Sequence, residues 1–312
     1  MVNVLLLTLQ QFAVLLFFLA VGYILNRTRV IENVKPLSAA LMWVFIPAVV
    51  FNVFYRNFTV SNFTVAMPYA LAGLILMAVL LAVSYPIVRR FKDRITRNTY
   101  WYSLVITNMS YVGFPLVSNV FPELYIFFMV FITAFQVYIF TVGVAMLKPE
   151  REKVSLKGLF SPIMIALAVG MACGLIFDAA SIKLPSTVEN IIDSAAACMS
   201  PVAMLITGFT LAKLPLGKVF TNAGVYVFTA LRLIVFPVVF GGIFYLLHLW
   251  FGLPIGIVKV AVIYLALPMG INTVVFAEAN GADGTVGAQC AFISHAACVL
   301  TLPLIFALAS IL

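Results

Sequence analysis

The chain has 312 residues, of which 64% are hydrophobic and only 9% charged, and its mean hydropathy is +1.17. Soluble domains carry roughly 45–50% apolar and about 25% charged residues, so a soluble enzyme, a nucleic-acid binder and a disordered chain are excluded. The net charge of +8 falls in short gaps between apolar runs and reads as the topology signal of a polytopic membrane protein.

A membrane-crossing helix needs about 20 predominantly apolar residues. Ten charge-poor runs meet that requirement, near 4–25, 36–54, 66–88, 100–120, 124–147, 161–177, 191–211, 229–250, 257–278 and 287–311. Their lengths predict helices, since barrel strands are about half as long and alternate in polarity. No Lys or Arg precedes the first run, which predicts a retained span in place of a cleaved signal peptide. The stretch Leu216 to Phe228 is expected to form a polar-edged interfacial helix ahead of the eighth span. The four cysteines, Cys173, Cys198, Cys290 and Cys298, lie inside apolar runs without metal-ligand spacing, so they read as packing residues, and no metal or cofactor is expected.

Fourteen Lys and Arg fall in the odd-numbered connections, against Arg56, Lys183 and Lys259 in the even-numbered ones. Positive charge stays in the cytoplasm, so the odd-numbered loops are expected there and both termini outside. The expected location is the cell (plasma or inner) membrane. The second span carries Pro47 and the seventh Pro201, 154 positions apart, and the same offset carries Gly113 and Pro115 to the neighbourhood of Pro268. Five spans per half reverse the orientation of the second half. The expected organisation is therefore an inverted repeat: residues 1–147, a short cytoplasmic linker at 148–160, and residues 161–312, with scaffold and transport domains each drawn from both halves.

The fourth span reads Asn108-Met-Ser110-Tyr111-Val-Gly113-Phe-Pro115 and the ninth Pro268-Met-Gly270-Ile-Asn272. Proline removes a helical hydrogen bond and glycine weakens the helix, and lipid tolerates the freed backbone only where protein or a polar cavity meets it. Matched interruptions in two halves point to a carrier's binding site. The N-termini of the half-helices there offer bare N–H groups and positive dipole ends suited to a carboxylate. Asn108 and Asn272 add neutral amide donors. Gln136 and Tyr138 in the fifth span are read either as ligand contacts or as interhelical hydrogen bonds, and Asn52 as a cavity residue of the second span. Ser294 and His295 are read as a proton relay or as a bonded neutral pair, and Glu278 as a coupling carboxylate or a group reaching water. Asp193 and Arg232 read as snorkelling anchors near helix ends.

Together these motifs resemble the auxin efflux carrier family, which includes plant PIN auxin exporters and bacterial malate and malonate permeases. The resemblance rests on Asn108 through Gly113-Phe114-Pro115, Ile46-Pro47-Ala48 with Phe51, Pro268 with Asn272 and Ala277-Glu278, and Ser294 through Thr301-Leu302-Pro303. It implies an all-α fold of ten transmembrane helices as a 5+5 inverted repeat, with broken helices 4 and 9 crossing in the bile-acid sodium symporter/NhaA-like manner. It also implies that Asn108 contacts substrate and that Pro268, with Asn272, marks the second half of the crossover. Two departures stand out: Thr107 occupies the place where PIN proteins carry a proline, and the Lys148 to Lys157 connection is too short for a regulatory loop.

The function expected is secondary transport of small organic anions by alternating access, with substrate held by Asn108, Tyr111, Gly113, Pro115, Pro268 and Asn272. The alternative is a sodium- or proton-coupled symporter of another organic solute. An intramembrane enzyme is disfavoured, because the chain has only His248 and His295 and lacks HExxH, and ATP-driven pumping is disfavoured by the lack of a phosphate-binding loop. The expected partners are the organic anion and the lipid bilayer, with a homodimer as an option and no nucleic acid.

Overall fold

The structure is a computed structural model that describes residues 2–149, 160–213 and 219–311. In chain order the helices are α1 (Val2–Arg27), α2 (Lys35–Asn57), α3 (Val60–Val88), α4 (Arg94–Val105), α5 (Phe114–Val120), α6 (Pro122–Phe131), α7 (Thr133–Met146), α8 (Pro162–Ala180), α9 (Ser186–Ala212), α10 (Ala223–Phe251), α11 (Ile255–Ala266), α12 (Asn272–Ala279) and α13 (Thr285–Ile311). Among the described residues six helices are long and apolar enough to cross a membrane, or seven if α6 and α7, bent by 42° at Ile132, count as one span. All ten apolar runs fall on helix, but the fourth is divided into α4 and α5 and the ninth into α11 and α12. A helix of 12 residues such as α4 rises only about 18 Å, short of the roughly 30 Å hydrocarbon layer. Helix length alone therefore does not yield the tenfold count.

Proline shapes the local geometry. Of the four π-turns among the described residues, three, Leu41–Phe45, Met109–Gly113 and Leu231–Val235, end two residues before a proline (Pro47, Pro115 and Pro237), while Ile139–Gly143 does not. Widening the turn relieves the clash of the proline ring with the preceding carbonyl and keeps the backbone helical. The expected interfacial helix at Leu216 to Phe228 falls partly outside the described residues; within them Val219 is helical and is separated by residues 220–222 from the helix that follows. Ala223 to Phe228 belong to the start of α10, capped by the Asn222 side chain, and Leu216 to Lys218 lie outside the described residues.

The helices pack in two groups. In the first, α1 lies along α9 and α8 lies along α2. Backbones touch in both pairs: a Cβ on Gly22 or Gly208 would strike the Leu205 or Leu19 carbonyl between α1 and α9, and one on Gly174 the Phe54 carbonyl between α8 and α2, so only glycine permits this approach. The second group joins α3 to α4, α6 and α7, and α10 to α11 and α13. Large apolar side chains such as Phe17, Leu74, Val238 and Leu300 stand exposed on the outside, as lipid contact requires. Polar side chains turn inward: Asn108, Thr207, Thr210, Arg232, Thr273, Gln289, Ser294 and His295 are all buried.

Candidate functional site

The two interrupted spans meet at their breaks. Helix α4 stops at Val105 and the chain runs extended through Ile106; α11 stops at Ala266 and runs extended through Leu267. The two extended stretches pair antiparallel. The Asn108 N–H donates to the Pro268 carbonyl (2.8 Å), the Gly270 N–H donates to the Ile106 carbonyl (3.1 Å), and Thr107 faces Met269. Pro268 lacks an N–H and breaks the ninth span at once. In the fourth span the break lies at Ile106–Asn108, seven residues ahead of Pro115, because the π-turn absorbs that proline. A Cβ on Gly270 would come within 3.2 Å of the Thr107 carbonyl, a tight contact that glycine avoids where the two stretches meet. Each break thus supplies hydrogen bonds to the other, which is the condition under which irregular backbone is tolerated inside a membrane protein.

Helix α13 completes the arrangement with two neighbouring side chains. The Ser294 hydroxyl accepts from the Met269 N–H (3.2 Å) and donates to the Ala291 carbonyl (3.2 Å). The His295 Nδ1 lies 2.6 Å from the Ala291 carbonyl, which can only accept, so Nδ1 carries the proton. His295 Nε2 is then the acceptor for the Asn108 amide at 2.7 Å. The Asn272 side chain opens α12, and its Oδ1 is buried with no hydrogen-bond partner. The arrangement gathers two half-helix N-termini, neutral amides and a neutral imidazole, with no carboxylate adjoining it. Such a set can hold an anion through N–H donors without a fixed negative charge opposing it.

A family model described as a membrane transport protein matches residues 151–306. The chain belongs to this family, the auxin efflux carrier and PIN-type membrane transporters. No curated protein matches it. The match covers half of the carrier, including Arg232, Pro268, Asn272, Glu278, Ser294 and His295, whereas Asn108 lies outside it.

Other residues singled out from the carrier's sequence lie in other surroundings. The Asn52 amide donates to Asp193 (2.7 Å), which also pairs with Arg56 (2.8 Å) where α2 meets α9. Tyr138 is buried and donates to the Met146 sulfur (2.9 Å), while Gln136 is buried in α7. Gly113 closes the π-turn against Leu267 and Phe128. The side chains of Tyr111 and Pro115 lie outside the described residues. Glu278 does not reach water: it is 6% exposed at the far end of α12, with its carboxylate 2.6 Å from Lys213 Nζ and accepting from Thr210 (3.1 Å). Asp193 is an ion-paired group at a helix contact.

The reading of Arg232 as a snorkelling anchor is overturned. Its side chain is 0% exposed within the π-turn of α10, and its Nη2 donates to the Tyr264 carbonyl (3.1 Å) in the last turn of α11. Tyr264 in turn donates its hydroxyl to the Val105 carbonyl at the end of α4 (2.7 Å). Cys298 approaches the Ala266 carbonyl (3.4 Å). Sequence reasoning missed this cap on the two half-helix C-termini. The signal available was a lone arginine five residues before Pro237 in a run otherwise free of Asp, Glu, Lys and Arg, and hydropathy does not say which face it occupies.

Proposed function

We propose that the protein is a secondary active transporter of small organic anions, mono- or dicarboxylates, which it holds at the crossing of α4–α5 with α11–α12. The observation that carries this reading is the antiparallel pairing of two interrupted spans, Ile106–Asn108 with Pro268–Gly270, deep in the packed protein. Uninterrupted helices would give a membrane protein no such seat. Asn108 and Asn272 present amides to the carboxylate, and the N-terminal ends of α5 and α12 add partial positive charge.

The packing supports an inverted repeat and alternating access. Exchanging each span with the one five places on turns the α1–α9 contact into α8–α2, and the α3–α4 contact into α10–α11, and all four contacts occur. In this reading α1, α2, α8 and α9 form the scaffold, and the remaining helices carry the crossover from one side of the membrane to the other. The excess of Lys and Arg in the odd-numbered connections supports extracytoplasmic termini.

The test is flux into proteoliposomes with a panel of organic acids that includes malonate. Wild type should give saturable uptake of at least one acid. Asn108→Ala and Asn272→Ala should each reduce it at least tenfold while remaining monodisperse; unchanged uptake in both variants would remove the crossover from the mechanism. A second reading, proton coupling, is favoured by the 2.7 Å contact of Asn108 with His295, since protonated Nε2 no longer accepts from the amide. Uptake that ignores an imposed pH gradient would exclude it.

A further inference from the structure

Arg232 is a cation buried in the membrane domain with no counter-ion among the described residues. Its Nε and Nη1 are buried and have no hydrogen-bond partner, and no carboxylate among the described residues pairs with it. Its neighbours are uncharged: the Tyr264 carbonyl at 3.1 Å, the Tyr264 ring with its centroid 5.5 Å from the guanidinium carbon, and the end of α11 that Cys298 also touches. Such a charge is costly inside a bilayer and is retained where something uses it. One hydrogen bond to the C-terminus of α11 offsets part of that cost through the helix dipole, yet two of the guanidinium nitrogens remain bare. The residue stands close to the crossover, because Tyr264 is four residues from Pro268 and four residues of chain span at most about 14 Å.

We infer that Arg232 is a specificity-determining residue: it is the fixed positive charge that makes the crossover select an anion over its neutral analogue. This rests on the carrier reading above for the place of the substrate, but the electrostatics stand on the position of Arg232 alone. At about 14 Å and an effective dielectric constant near 20, one charge changes the affinity of a monovalent anion roughly sevenfold. The ratio of an anion's rate to a cation's changes by about the square of that factor, roughly fiftyfold.

The field is measured without any substrate. In full-length protein carrying Asn272→Cys, the reaction rates of residue 272 with an anionic and a cationic methanethiosulfonate are compared by peptide mass spectrometry, each relative to a free thiol. The anionic reagent should be favoured at least tenfold. Adding Arg232→Gln should collapse that preference, and Arg232→Lys should keep it. No anionic preference with Arg232 intact would overturn the inference, whether or not the glutamine variant folds. So would a preference that survives Arg232→Gln, and so would a thiol that neither reagent reaches. In parallel, discrimination between the malonate dianion and malonamide in proteoliposome flux should fall roughly fiftyfold in Arg232→Gln, the square of the monovalent factor. Absence of all acid flux in wild type, with the reagent preference intact, would overturn the carrier reading and leave the charge assignment standing.

Discussion

Helices α2 and α10 contain prolines inside the hydrocarbon-facing part of the fold and remain continuous; the fourth and ninth spans contain prolines and come apart. Both classes carry π-turns, at Leu41–Phe45 and Leu231–Val235 in the continuous helices and at Met109–Gly113 in the broken fourth span. Helix α3 even holds Pro68 and Pro86 without a break. Proline is therefore not sufficient. What separates the two classes is the supply of partners for freed backbone groups. The broken spans have each other, the Ser294 hydroxyl at Met269 and the Tyr264 hydroxyl at Val105. A break in lipid is stable where such donors and acceptors converge; elsewhere the helix stays continuous, through a wider turn before Pro47 and Pro237 and without one at Pro68 and Pro86.

The comparison can be broken most severely at Gly270. Gly270→Leu forces a side chain against the Thr107 and Ile106 carbonyls, which lie 3.2 and 3.3 Å from the position of even a Cβ. It should destabilise the protein by about 1–3 kcal/mol, seen as a lower thermal midpoint in detergent, and abolish organic-acid flux. At the other extreme, Pro237→Ala removes a proline that a π-turn already accommodates. It should shift stability by less than about 1 kcal/mol and leave flux within twofold of wild type. A Pro237→Ala variant as damaged as Gly270→Leu would erase the distinction between absorbed and structural prolines.

Much of this was legible in the residues, and the failures have physical causes. The apolar runs locate the helices because an uncharged stretch of about 20 residues has few other stable fates. The ninth-span break is visible at Pro268, since a missing N–H acts locally. The fourth-span break is displaced from Gly113 and Pro115 to Ile106–Asn108, because where an extended stretch settles depends on Pro268 and Gly270, more than 150 residues away. The association of Asn108 with His295 is equally non-local. Arg232 was misread for the same reason, and the surroundings of Glu278 were equally out of reach. Hydropathy reports how unusual a charge is in a run, whereas packing decides whether it reaches water, a lysine or the end of another helix.

The central claim is that the two broken spans meet, and it is tested most directly by a cross-link between them. Residues opposed in an antiparallel pair have Cα atoms about 4.5–5.5 Å apart, within the range a disulfide bridges. Thr107→Cys combined with Met269→Cys, oxidised in membranes and digested, should yield the 107–269 linked peptide as the dominant product. Two thiols that stay free and separately alkylatable after oxidation would contradict the crossing and the binding site built on it.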